Sequence, residues 1–501
     1  MSSHRSGFLS RLLPIVGLIL FLSACFVVNF RGLRTNPPGF FLDESSISYN
    51  AFTISQTGRD EDGVLWPVYF RAFGEYKNPT YIYLLAGIFK LTGPSILVAR
   101  MFSATLGLLA SVLVGVLAFL ISRRTTVGIL MGTVAFFTPW LFEISRLVFE
   151  VALFPLILML FLIQAYRLSK KEDWLWGEEF LLALTLGVLT YTYSIGRLFG
   201  PLMAIGLLFF RPRARGAQIL RIWFCYFLSL IPLLAFHFSH PHALFQRFDT
   251  ISYLSGESSI AAKTGQFLTH VAGNINPWPL LMTGDPNPRH HIQGVGSFFV
   301  VVFLLSLYGI YWCLRTQRND PWWRFVLYGL VVSLIPASLT QDVFHTLRLI
   351  PYPLFLLILA IPSLSALMPS SSQNAWRWAL FLSLIAGIML QEVSFQKLYI
   401  QDGPNRGVHF DADFPIVFDA ALATGSRSIV IVEAGGPLYI HAYWYGLLQK
   451  LDLSRLIRIP DAASAPPGYA VLTYQGVPAG CRTLRHETWF TAYSCGKVAG
   501  N

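Results

Sequence analysis

The chain has 501 residues, 54% of them hydrophobic and only 13% charged, with a formal net charge of +11. Soluble globular proteins carry roughly 25% charged residues, so this composition excludes a soluble globular protein, and chain length is no guide to domain number. In a membrane chain a basic balance is first a topology signal, and nucleic acid drops out as an expected partner.

Met1 to Arg11 is short and basic, and Leu12 to Phe30 is almost wholly apolar. Leu22-Ser23-Ala24-Cys25 resembles a lipoprotein processing box. The run is long for a signal sequence, however, and many spans follow, so a retained first membrane helix is expected. Residues 31–93 are more polar. Asp43 to Thr57 is expected to form an amphipathic helix, Gly58 to Gly63 a turn, and Pro79 to Leu91 a second interfacial helix.

Further apolar runs cover Ser95 to Ser122, Val127 to Phe142, Val151 to Leu168, Phe180 to Tyr193 and Phe199 to Phe210. They continue with Ile219 to His237, Phe298 to Leu314, Phe325 to Leu339, Leu349 to Leu367 and Trp378 to Glu392. With the first helix these make about eleven spans. The membrane part is therefore set at 1–392, with a long loop at 238–297. The tail, 393–501, differs in composition. Ser428 to Val432 and Tyr469 to Tyr474 read as strands and Pro437 to Leu448 as a helix, enough for a small α/β domain of roughly 100 residues. Cys481 and Cys495 lie in this tail and pair if it is outside the cytoplasm; two free thiols are the alternative.

An odd number of spans puts the termini on opposite sides, and charge decides which. With the amino terminus in the cytoplasm, the cytoplasmic segments hold Arg123 and Arg124, Arg167, Lys170 and Lys171, and Arg315, Arg318 and Arg324. The short outer turns hold one arginine each: Arg146, Arg197 and Arg348. The expected location is a multi-pass protein of the cytoplasmic membrane, with its tail outside.

The outer segments gather a particular chemistry. Asp43 and Glu44 follow Phe40-Phe41-Leu42, with Tyr49-Asn50-Ala51 and Asn78-Pro79-Thr80-Tyr81 behind them. Carboxylates at a membrane boundary are costly and functional by default. Glu150 closes the Arg146 turn, Tyr191-Thr192-Tyr193 precedes Arg197, Asp285 precedes Arg289-His290-His291, and His345 precedes Arg348. Polar residues belong in such turns, but arginines here run against the positive-inside bias. A guanidinium donates paired hydrogen bonds to phosphate, and a carboxylate opposite it suits general-base work. A transporter or flippase, the alternative, predicts charges near the midplane and inverted repeats; here the charges cluster at one face.

In order and spacing these segments resemble the C-type glycosyltransferases, specifically bacterial relatives of the protein O-mannosyltransferases and the lipid A aminoarabinose transferases. The resemblance covers roughly Phe40 to Leu367. It implies a polytopic α-helical fold of the GT-C type and an inverting transfer of a sugar from a polyprenyl-phosphate donor to a glycan, lipid or protein acceptor. Asp43 would be the catalytic carboxylate, made a stronger base by burial. Glu44, Glu150 and Tyr81 would bind the acceptor or support the site, with Glu44 either an acceptor contact or structural, and Glu150 either orienting the acceptor or pairing with Arg146. Arg348, His345, Arg289, His290 and Arg197 would hold the donor phosphate. No metal or other cofactor is expected, because adjacent His290 and His291 diverge; a divalent cation with Asp285 is the alternative, since some distant relatives need one.

Overall fold

The computed structural model describes residues 23, 25–210, 216–256, 259–368 and 375–496. The expected first span falls mostly outside these, although residues 25–30 are helical. Each of the later apolar runs coincides with helix. Ile96–Ser122, Glu150–Ser169, Gly216–Ser239 and Ala375–Phe410 are long and apolar enough to cross a bilayer, and Thr125–Phe137, Gly196–Phe210, Val300–Thr316 and Pro351–Leu367 are shorter apolar helices. Prolines set the breaks. Pro139 opens the helix Pro139–Ile144, and helix Ile231–Ser239 starts afresh around Pro232, because proline lacks the N–H an interior turn requires.

Segments separated by one span collect at opposite ends of the bundle, as the charge pattern requires. At one end Lys170 reaches Asp320 (2.9 Å) and Arg124 donates to the Ser365 carbonyl (3.0 Å). At the other end lie residues 31–93, the loop 238–297 and the tail.

Leu42–Thr57 is helical, but it is not amphipathic. It buries Glu44, Ser45, Ser46, Ser48 and Asn50 together with Ile47, Ala51 and Ile54, because both of its faces are covered. Helix Pro79–Thr92 packs on one side and helix Tyr439–Leu448 of the tail on the other. Phe40, Tyr81, Leu85 and Phe89 share a single core with Phe414, Val417 and Trp444, and Trp444 stacks on Phe40 at 5.6 Å. Between the two helices of residues 31–93, strands β1 (Phe70–Ala72) and β2 (Glu75–Lys77) form a hairpin that pairs Phe70 with Lys77. Its turn residues, Phe73 and Gly74, take φ of 57° and 79°, the handedness that matches strand twist.

Helix Ala375–Asp402 runs through position 392 without a break, so the expected boundary there is carried inside one helix. The tail is α/β as expected. Its strands are β3 (Ile429–Val432), β4 (Leu456–Ile459), β5 (Ala470–Thr473), β6 (Arg482–His486) and β7 (Thr491–Ser494), ordered β4-β3-β5-β7-β6. β3 is parallel to β4 and β5, and β7 antiparallel to β5 and β6. Cys481 and Cys495 are joined by a disulfide.

A buried carboxyl sits at the seam between loop and tail. Glu61 accepts hydrogen bonds from Tyr439 Oη and Asn50 Nδ2, each 2.8 Å. Burial outweighs them and pushes its carboxyl up from 4.5 to about 7. A raised carboxyl stabilises the fold fully below its unfolded value, and that stability is lost as pH rises through about 7. The expected loss is about 3 kcal/mol at most. Melting temperatures in detergent should fall between pH 5 and pH 8 by more in the natural protein than in Glu61→Gln; identical slopes would contradict this assignment.

Candidate active site

A cavity of about 300 Å³ opens where residues 31–93 meet the helix ends. Seven of the residues expected from sequence line it: Asp43, Glu150, Arg197, Arg289, His290, His345 and Arg348. They come from five separate segments, so proximity is a product of the fold. Lys77, Asn78, Tyr193, Arg247 and Asp342 are among the other polar residues that line it.

Asp43 lies in the first turn of helix Leu42–Thr57 and keeps 35% of its side chain open to the cavity. Its Oδ1 is 2.5 Å from Lys77 Nζ, which is almost fully buried at 6% exposure. The β1–β2 hairpin delivers that lysine. Burial alone would raise the Asp43 carboxyl, but the charge and hydrogen bond of Lys77, with Arg289 and Arg247, hold it below the usual range. The expected burial-driven strengthening of the base is thus overturned by a cation that sequence reading did not place. Lys77 responds in kind: burial works against its charge, and Asp43, Glu150 and Glu75 raise it nonetheless.

Glu150 accepts the backbone N–H of Asn78, which ties the 3₁₀ turn Glu150–Leu153 to the end of the hairpin. It does not pair with Arg146. That arginine points away from the cavity, donating to Tyr399 Oη (3.0 Å) and to the carbonyls of Asn29 (2.8 Å) and Arg31 (2.5 Å). Glu44 and Tyr81 also lie outside the cavity lining. Glu44 is fully buried against Arg100 (3.0 Å) and accepts the N–H groups of Phe41 and Val148. Tyr81 bonds Ser103 at 2.5 Å within the core. Both are buried behind the lining, Glu44 as a hydrogen-bond acceptor and partner of Arg100 and Tyr81 as a partner of Ser103.

The rest of the lining is rich in arginine. Arg348 bonds Thr340 Oγ1 (3.0 Å) and Asp342 (2.7 Å), and Arg247 pairs with Glu75 at 3.2 Å. Arg197 donates to the Leu244 carbonyl (2.6 Å), and its Nε has no partner. The Arg289 guanidinium lies 4.1 Å above the Phe41 ring. Among the described residues neither Arg197 nor Arg289 forms an ion pair, so both present charge to the cavity. Such groups, desolvated and fixed, suit an anion with several acceptor oxygens.

Asp285, His290 and His345 offer ligand atoms within 4.8 Å of one another. Yet Asp285 Oδ2 already accepts from His290 Nδ1 (3.2 Å), Thr346 N (2.7 Å) and Thr346 Oγ1 (2.6 Å), and Oδ1 from Asn287 N (2.8 Å). The carboxylate is saturated by donors that fix the His290 ring, and a cation would displace them. These residues fit a hydrogen-bonded support better than a metal centre. Burial, with His290 and Arg348 beside it, drives the His345 ring well below its ordinary value, so it is neutral near pH 7.

No protein-family model matches the chain, and no curated protein matches it in sequence. Solved structures do. ArnT from Cupriavidus metallidurans bound to undecaprenyl phosphate superposes with a TM-score of 0.61 at 13% identity, over 97% of this chain and 99% of that one. The same protein in the apo state gives 0.62 at 12% identity, over 96% and 98%. The chain has the ArnT-like GT-C fold over 96–97% of its length.

Proposed function

We propose that this protein is an inverting glycosyltransferase of the cytoplasmic membrane. It moves a sugar from a polyprenyl-phosphate donor to a glycan, lipid or protein acceptor on the extracytoplasmic side. The observation that carries this reading is that one cavity is lined both by a carboxylate, Asp43, and by several arginines. The fold shared with ArnT, a protein crystallised with undecaprenyl phosphate, supports the same reading.

In this mechanism Arg289, Arg197 and Arg348 hold the donor phosphate, with His290 and neutral His345 lining its approach. The acceptor hydroxyl or amine lies against Asp43. Its oxygen or nitrogen attacks the anomeric carbon as the bond from that carbon to the phosphate oxygen breaks. The acceptor proton passes to Asp43, and polyprenyl phosphate leaves with its charge met by the guanidinium groups. One displacement inverts the centre. A carboxylate held in its ionised form by Lys77 is a weak base, so proton transfer comes late, once the forming bond has acidified the acceptor. Departure of the phosphate therefore bears most of the barrier.

Radiolabelled polyprenyl-phosphate sugars, offered to the protein in vesicles with membrane acceptors, test the reading. Label should appear on an acceptor with inverted anomeric configuration and with release of polyprenyl phosphate. No transfer from any donor, together with passage of a lipid or solute across the vesicle, would overturn it.

A further inference from the structure

Every neighbour of Asp43 in the first turn of its helix is tied to something outside that helix. Glu44 is held by Arg100. The Leu42 N–H donates to Asp411 Oδ2 at 3.0 Å, and Ser45 Oγ lies 3.0 Å from His441 Nδ1. His441 Nε2 is in turn 3.1 Å from the same Asp411 oxygen. Asp411 and His441 both belong to the tail. A carboxylate only accepts, so His441 carries its proton on Nε2, and Ser45 donates its hydroxyl to Nδ1. The result is a closed chain: Ser45 hydroxyl to His441, His441 to Asp411, and Leu42 N–H to Asp411.

Serine, histidine and aspartate in this order resemble a hydrolytic triad, but Ser45 and His441 are both 0% exposed. No substrate reaches that hydroxyl. The backbone confirms a seat instead. Gly39 has φ of 66°, and a Cβ there would fall 2.3 Å from the Phe410 carbonyl and 2.6 Å from Ala412 Cα. The segment that carries Asp411 thus lies directly on the residues entering the helix. Asp411 itself sits in left-handed backbone, φ 53°, a conformation aspartate tolerates better than most residues.

We infer that Asp411 and His441 are positioning residues: the tail reaches back to lock the first helical turn, so that Asp43 is presented to the cavity at a fixed angle. The inference rests on the transferase reading above and adds that the tail is an obligatory part of the reacting geometry. Small misplacements of a reacting group cost up to about 10²-fold.

The test uses full-length protein in vesicles, polyprenyl-phosphate sugars as donor and polyprenyl phosphate as binding probe. His441→Ala should lower kcat by about 10- to 100-fold, with donor KM and polyprenyl phosphate affinity within about twofold of the natural protein. His441→Gln, whose amide still donates to Asp411, should recover part of that loss. Ser45→Ala, which removes a single hydroxyl, serves if His441→Ala does not fold. In both alanine variants the amides of residues 42–46 should exchange hydrogen faster. An unchanged kcat, or a joint collapse of kcat, KM, probe affinity and melting temperature without rescue by glutamine, would overturn the inference. If the natural protein neither transfers sugar nor binds polyprenyl phosphate, the transferase reading itself fails. Hydrogen exchange then decides the lock alone, and unaltered protection at residues 42–46 refutes it.

Discussion

Asp43→Asn should lower the rate of sugar transfer by about 10² to 10⁴-fold, with the protein still folded and still binding polyprenyl phosphate. Asparagine keeps the shape of the side chain and can still accept from Lys77, so the hairpin contact survives. Its amide oxygen cannot take the acceptor's proton. Lys77 loses one counter-charge but keeps Glu150 and Glu75 as stabilising neighbours. A companion variant isolates the electrostatics. Because Lys77 holds the Asp43 carboxyl down against burial, Lys77→Met should move the acid limb of kcat/KM to higher pH. In the natural protein that limb should lie below the ordinary carboxylate range, near 4. Initial rates at matched expression check the first expectation. Transfer by Asp43→Asn within about threefold of the natural rate would remove Asp43 from the centre of the chemistry.

The second large effect concerns stability. Arg100 and Glu44 are both 0% exposed and form a bidentate pair, Nε to Oε1 at 3.3 Å and Nη2 to Oε2 at 3.0 Å. The same guanidinium donates to the carbonyls of Pro37 (2.6 Å), Gly39 (2.8 Å) and Leu33 (3.2 Å). It joins the helix Ile96–Ser122, the segment 33–39 and the helix bearing Asp43. Arg100→Met strands the Glu44 charge and orphans three carbonyls, and should cost about 3–5 kcal/mol. Removing both charges with Arg100→Met and Glu44→Leu should not restore the natural value. The carbonyls stay unpaired, and so do the Phe41 and Val148 amides that Glu44 accepted. Unfolding midpoints in detergent measure this; recovery in the double variant would mean the pair, and not the wider network, carries the stability.

Much of this architecture was legible in the sequence because lipid imposes a simple rule. A span must be apolar and helical, so the runs from Ser95 to Glu392 locate the helices without knowledge of their packing. Segment alternation and arginine placement then identified which turns share an end, and seven expected residues fell into one cavity. Glu44 stayed between two readings because it neighbours Asp43 in the chain. Successive helix positions point about 100° apart, so one residue faces the cavity and the other the core. Lys77 was invisible for a different reason. Its role depends on the hairpin register, and a lysine in a polar stretch looks like any solvated charge until that register is known. The polar burial of Leu42–Thr57 was hidden more deeply, since its covering helix lies almost four hundred positions away, with Ser45 and His441 separated by 396 positions.

That separation has a consequence for how the protein is made. Residues 31–93 emerge from the ribosome before the surface that covers Ser45, whose partner His441 follows 396 positions later. During membrane insertion the early segment must wait with its polar groups in water and its apolar residues uncovered. The contacts that hold the first turn of helix Leu42–Thr57 can form only once residue 441 has been made. A chain cut short between residues 411 and 438 should therefore insert its helices but leave the first turn of helix Leu42–Thr57 without its His441 contact. Such products would be inert in the envelope and, with Phe40, Phe89 and Ile54 exposed, recognisable to the proteases that clear incomplete membrane proteins.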